Sequence, residues 1–311
     1  MTRPKSSPFL RRLGAFLLTL LVVHAASFFL LHAARGGPFD AERQLSPEVE
    51  QALLAQYHLD EPVHQQYLRA LQDLVFHFDL GPSLRYRGTD VSTLLAQSAP
   101  VSLALGASAL VIALVFGIPL GLWAALRRNQ WPDRGLGILT SIFLALPNFV
   151  LAGLAISLFS FSLGLLPPAG ASSALHYILP AFCLGLPCAA QLARLTRTTT
   201  LETLHCPAVQ AARARGVHGL PLLSRHVLQR ALIPVLAFLG PAAAGILTGS
   251  LVLEQVFALP GMGAHFVQAA LNRDYTLALG ATLLYTAVLG LTTLLADWGI
   301  SRFDPRAEAL S

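Results

Sequence analysis

Charge is what this sequence has least of. Only 12% of its 311 residues are Asp, Glu, Lys or Arg, about half the roughly 25% of an ordinary soluble domain, so water is excluded as the main solvent of the chain. Lysine is scarcer still. Lys5, in the N-terminal tail, is the only one, so no phosphate-cradling loop of the GxxxxGK[ST] type exists here. If ATP drives this protein, a separate polypeptide binds and hydrolyses it. The three cysteines, Cys183, Cys188 and Cys206, make no disulfide framework. The five-residue step from Cys183 to Cys188 makes no zinc pattern either, and all three read as small buried apolar residues. GxSxG, HExxH and paired aspartates within the apolar runs are also missing, which argues against an intramembrane enzyme. The net charge of +5 does not point to nucleic acid, because the basic residues form short clusters between apolar runs instead of one stripe.

Long apolar runs are what the sequence does have. A bilayer core of about 30 Å takes about 20 apolar residues in helical form, because lipid offers no partner to open backbone groups. Six stretches qualify, near 13–34, 100–126, 136–165, 176–196, 232–256 and 276–300. The third is long enough to be kinked or to end in a non-helical stretch, and Pro147 stands where a helix would bend. The first follows Arg3, Lys5, Arg11 and Arg12 as a secretory signal would. Its apolar run exceeds the roughly 7–15 residues of a cleaved signal, so it reads as an uncleaved first helix.

Placing the N-terminus inside puts residues 1–12, 127–135, 194–231 and 301–311 in the cytosol, with fifteen of the 21 basic residues. The opposite side keeps Arg35, Arg43, Arg69, Arg85, Arg87 and Arg273. That asymmetry is the positive-inside rule for a chain with both termini in the cytosol. The expected fold is therefore an all-α polytopic membrane protein. Residues 1–34 are the N-terminus and first transmembrane helix, 35–99 an extracytoplasmic segment and 100–311 a five-helix core. In the extracytoplasmic segment, Ser46 and Pro47 cap and start one short helix, and Tyr67, Leu68, Leu71 and Leu74 space a second. Gly117 with Gly121, and Gly245 with Gly249, are small-xxx-small pairs that let helices approach. Glu254 and Asp297 are carboxylates near span ends, for pairing or for a pathway, and His24 reads as a packed histidine.

The loop from 197 to 231 is the informative one. Pro207 suits the first position of a helix, small helix formers follow from Ala208 to Arg215, and Gly216 is placed to end it. So short a helix needs something to pack on. A second helix is expected from Pro221 through His226 into the fifth span. Ala211 and Ala212 would leave a low surface for another protein, with Arg213 and Arg215 reaching acidic groups on it.

This segment resembles the EAA loop of ABC importer permeases, whose pattern is E-A-A, three residues, G, nine residues and I-x-L-P. Gln210, Ala211, Ala212 and Gly216 hold its first part. His226, Val227, Leu228 and Gln229 stand at I-x-L-P, and these departures resemble the peptide and nickel branch. The likeness continues through "LPNFVLAGLAISLF", "LLPPAG", "ILPAFCLGLP", "ARLTR", "GSLVLEQVFALPGMG", "LNRDY" and "FDPR", in the order of the B-type permease. "GGPF", "QYHLDEP" and "DLGPSLRYR" are similar to the oligopeptide permease B subunit. The resemblance implies a multi-pass subunit of the bacterial inner membrane that imports oligopeptides. It would pair with a C-type permease, two cytosolic ATPases of the D- and F-types and an extracytoplasmic peptide-binding protein. Gln210, Ala211, Ala212, Arg213, Arg215 and Gly216 would couple to an ATPase, and ATP and magnesium would be bound by those partners and not by this chain. Glu254, Pro260 and Gly261 would sit near the gate or the binding protein. Dipeptides, nickel or glutathione are the alternative cargoes of the same family, and an ion-coupled secondary transporter is the alternative of another class.

Overall fold

The computed structural model describes residues 8–33, 51, 55, 57–86, 88–247 and 250–303. These residues are helical apart from turns and one isolated bridge between Pro82 and Asp90. A backbone without water closes its own hydrogen bonds, and the helix does this within one segment. The helices are α1 (Pro8–Ala33), α2 (Val63–Gln72), α3 (Val91–Leu126), α4 (Trp131–Ala145), α5 (Asn148–Ala155) and α6 (Leu175–Leu204). They continue as α7 (Pro207–Ala214), α8 (Gly219–Leu222), α9 (Gln229–Leu247), α10 (Leu251–Val256), α11 (Met262–Asn272) and α12 (Tyr275–Phe303). Wider π-helical turns extend α2 over Asp73–His77, α5 over Ile156–Ser162 and α8 over Leu223–Leu228. The expected helix after Ser46, and Gly249, lie outside the described residues.

Five stretches are long and apolar enough to cross a membrane: Leu10–Ala33, Val91–Leu126, Leu175–Leu204, Gly219–Val256 and Tyr275–Leu295. The expected third span is not one kinked helix. It is a pair, Trp131–Ala145 and Asn148–Ser162, bent by 106°. Proline drives its preceding residue out of the helical region, and Leu146 accordingly has ψ 129°. Pro147, itself extended at ψ 146°, then opens α5 by accepting from the amides of Val150 and Leu151. The bend falls at Pro147 as expected, and it is a break at which the proline starts a new helix.

Contacts divide the chain into two units, Met1–Val101 with Pro260–Val288 and Ser102–Leu259 with Leu289–Ser311. In the first, Val91, Leu95, Ala269, Leu277, Ala278 and Ala281 form a buried cluster. A side chain at Gly280 would meet Val91 Cγ1 at 2.6 Å. Tyr67 of α2 lies against the rings of His24, Phe28 and Phe29 of α1, at centroid distances of 5.5, 5.3 and 5.1 Å. His24 is buried, as a packed histidine is.

The second unit is built around α6, which packs on α4, α5 and α9. Ala181, Gly185, Ala189 and Ala193 recur every four residues along it and all are buried, so they form one low stripe. Onto that stripe α3 descends. A Cβ at Gly117 would lie 2.7 Å from Leu192 Cβ and 2.8 Å from the Ala189 carbonyl oxygen, and Gly121 is equally confined. Gly106 meets Ile246 and Gly185 meets Ala109 in the same way. Gly245 does not: it is exposed, and a Cβ there would have no neighbour within 4 Å. The expected small-residue contact at Gly245 is therefore replaced by one at Gly106. Gly117→Leu is expected to lower stability by about 1–3 kcal/mol through overpacking, measured as thermal unfolding in detergent. Gly245→Leu is expected to leave that unfolding unchanged.

Candidate coupling site

Helix α7 begins as its sequence dictates. Cys206 is extended (φ −70°, ψ 149°) and Pro207 takes the first helical position, where a missing N–H costs nothing. The carbonyl of Cys206 accepts from the amides of Val209 and Gln210, both at 3.1 Å. The helix runs for eight residues, Pro207–Ala214, and closes on Gly216, at φ +84°. The Gly216 amide donates to the Arg213 carbonyl at 2.9 Å, and the Val217 amide reaches back to the Ala212 carbonyl at 3.1 Å. These two bonds make the paired C-terminal closure that needs a left-handed residue. Gly216→Val would strain that residue by about 1–2 kcal/mol. The expected result is roughly tenfold faster tryptic cleavage after Arg215, because local opening rises with the strain.

Two turns of helix are marginal in water, so α7 must lean on something. Val209 and Ala212 turn inward and bury with Leu222 and Val227, flanked by Leu204, Cys206, Val217 and Leu223. Val227, at the x of the I-x-L-P position, is the floor beneath α7. The loop's second half therefore holds its first half. His226 and Leu228 lie beside it in the π-helical turn, and Gln229 begins α9.

Sequence reasoning placed Ala211 and Ala212 together on a low outer surface, and the fold separates them. Ala211 is exposed and Ala212 is fully buried. At 100° per residue Ala212 lies about 60° from Val209, on the face that turns inward, whereas Ala211 lies about 160° from it and faces outward. The outer surface consists of Ala208, Gln210, Ala211, Arg213, Ala214 and Arg215, with Gly216 exposed at its end. It also includes a residue that sequence reasoning passed over. Leu220, in the first turn of α8, is 79% exposed. A leucine directly after His218 and Gly219 and ahead of Pro221 was the available signal.

The other candidate residues do not gather with these. Glu254 in α10 is fully buried, and the Ser102 hydroxyl donates to its Oε1 at 2.8 Å. Ser250 caps this short helix, its Oγ accepting from the Leu253 amide. The "LLPPAG" loop is pinned to the end of α10 by a 2.8 Å bond from the Gly170 amide to the Phe257 carbonyl. Pro260 is exposed, and Gly261, buried, precedes the first residue of α11. They belong to the first unit, whereas Glu254 belongs to the second.

Residues 117–309 match the family described as binding-protein-dependent transport system inner membrane component. The chain is 38% identical over 299 residues to the dipeptide transport system permease protein DppB of Bacillus subtilis (strain 168), covering 96% of this chain and 97% of that protein. It is 41% identical over 301 residues to the oligopeptide transport system permease protein OppB of Escherichia coli (strain K12), with the same coverage. An inward-facing structure of the MetNI methionine ABC transporter superposes with a TM-score of 0.54 at 19% identity, over 68% of this chain and 97% of that one. That last likeness shows the fold alone. This chain belongs to the inner membrane components of binding-protein-dependent transport systems, and is a permease subunit of an ABC importer.

Proposed function

We propose that the chain is the translocating B-type subunit of an importer that moves oligopeptides delivered by an extracytoplasmic binding protein. A C-type permease pairs with it, and two cytosolic ATPases of the D- and F-types supply ATP and magnesium, which this chain does not bind. The observation that carries the proposal is the knob at 207–216. Its inner face is seated on Val227 and its end is locked by Gly216, while its outer face is left to small and basic residues. A rigid knob of this kind passes on a partner's closure as displacement of the helices joined to it.

Leu220 has the exposure expected of an anchor that fills a pocket on the ATPase, and Arg213 and Arg215 the charge expected beside it. Interface anchors of this kind each contribute more than about 1 kcal/mol. Leu220→Ala is expected to weaken ATPase binding about tenfold, equivalent to about 1.4 kcal/mol. Arg213→Glu is expected to leave ATP hydrolysis running while uptake stops. Both are measured in proteoliposomes that contain the whole transporter, with membrane insertion as the control. Undiminished uptake in both variants would rule out the docking role. Uptake of a labelled hexapeptide, competed by unlabelled dipeptide, tests the cargo: strong competition by dipeptide would favour a dipeptide importer.

A further inference from the structure

Helix α2 contains no buried residue, although ten residues are too few for a stable helix in water. Its inward side is held by rings and by one polar pair, His32 Nε2 with Gln66 Oε1 at 3.2 Å. Beneath it a cavity of about 280 Å³ remains, lined by residues including Phe28, Leu74 and Tyr275. Its outward side carries large apolar groups among exposed His64, Gln65, Arg69 and Gln72. Leu68 is 54% exposed, Val75 55%, Phe76 74% and Phe78 84%.

Two features of the backbone put those groups where they are. Eight α-helical steps would leave Phe76 about 80° round from Leu68. The wider turn at Asp73–His77 rotates less per residue, which brings Phe76 back toward the flank of Leu68. Phe78 then has φ +53°, a left-handed conformation that costs a bulky residue about 1–2 kcal/mol and a glycine nothing. The chain accepts strain to hold a phenyl ring outward.

The depth of α2 follows from its contacts. Tyr67 touches His24, Phe28 and Phe29, and His24 lies nine residues before the end of the first span, roughly 14 Å along the helix axis. An element whose ring reaches that far down the span lies at the membrane boundary. The surface is also continuous: Phe29 is 45% exposed and Leu30 75% exposed on the flank of α1, a helix long and apolar enough to cross a membrane.

We infer that α2 with its π-helical turn is an interfacial anchor, a non-spanning helix whose Leu68, Val75, Phe76 and Phe78 are seated in the bilayer beside the end of the first span. The polar turn before it, with Asp60 exposed and with Glu61 paired to Arg69 at 2.8 Å, stays in water. An amphipathic helix in this position is buried to about 5–10 Å at the boundary of headgroups and acyl chains.

The test uses the full chain, with the subunits that copurify with it, in nanodiscs of phosphatidylethanolamine and phosphatidylglycerol. Nitroxide labels are placed at Phe76→Cys and Phe78→Cys, with Asp60→Cys as the polar control, after Cys183, Cys188 and Cys206 are changed to alanine. Labels at 76 and 78 are expected to collide with dissolved oxygen more than with a water-soluble nickel chelate, at a depth of about 5–10 Å. The label at 60 is expected to show the opposite preference. Equal access of the nickel chelate to all three positions would place α2 in water and overturn the inference. Labels at 76 and 78 that are immobile and shielded from both reagents would overturn it too, because a protein subunit would then cover the face.

Discussion

Replacing Arg197 by alanine is expected to destabilise the second unit by about 3 kcal/mol, the cost of leaving a buried carboxylate without its cation. The carboxylate belongs to Asp133, in the first turn of α4, and is buried. Arg197 grips it with two bonds, Nε to Oδ1 and Nη2 to Oδ2, the latter at 2.9 Å. The Asn129 amide donates to Oδ2 as well, at 2.9 Å. One turn earlier on α6, Arg194 donates to Thr140 Oγ1 at 2.8 Å and to Ser141 Oγ at 2.7 Å. Arginines three apart share a helix face, so α6 fastens α4 at two levels. The effect should be asymmetric. The Arg197 side chain is a third exposed, and without Asp133 it can turn to water, so Asp133→Ala is expected to cost about 1 kcal/mol. Thermal unfolding followed with a thiol-reactive dye reads both variants, because Cys183 and Cys188 are buried on the same helix. Equal losses in the two variants would mean that burial of the carboxylate does not govern the pair.

The parts of this fold that were legible in the sequence are those set by one residue type at one position. Apolar length predicts spans because lipid leaves a backbone no alternative. Pro207 and Gly216 predict both ends of α7 because one lacks an N–H and the other lacks a Cβ. What was not legible depends on where neighbours lie. Pro147 is compatible with a kink or a break, and only the path of the chain beyond Leu146 decides between them. Gly245 and Gly106 look alike in sequence, yet Gly106 faces the Ile246 backbone and Gly245 faces open space. Ala211 and Ala212 are adjacent and identical, and the packing of Val209 onto Val227 makes one surface and the other core. Arg197 was readable only as part of a motif, since its partner is 64 residues away. The second part of the loop motif follows the same rule. Its departures at Ile and Pro weakened the match in letters, while Val227 kept the apolar floor that supports the helix.

Asp274→Ala should be the most damaging single change in the first unit, of order 3–5 kcal/mol, because one buried carboxylate serves five donors. Oδ1 accepts from the amides of Leu84 at 3.2 Å and Leu277 at 3.1 Å, and from Thr276 Oγ1 at 3.0 Å. Oδ2 accepts from the Ser83 hydroxyl and from the Arg85 amide at 3.3 Å. The Leu277 bond is an N-cap, three residues into α12, where a negative charge also suits the helix dipole. The bonds from 83–85 tie the "DLGPSLRYR" segment to the start of that helix, and the Thr276 hydroxyl shares its single proton between Oδ1 and the Pro82 carbonyl, the latter at 2.7 Å. The alanine variant removes every acceptor at once and leaves the fully buried Ser83 without this partner. Asparagine divides the two roles. It caps as well as aspartate does and can keep an oxygen at Oδ1, but it presents an N–H₂ where Oδ2 accepted. Hydrogen exchange is therefore expected to quicken at Leu84, Arg85 and Leu277 in Asp274→Ala. In Asp274→Asn it should quicken at Arg85, with Leu277 still protected. Unchanged protection of Arg85 in the asparagine variant would show that Oδ2 is not what holds the segment.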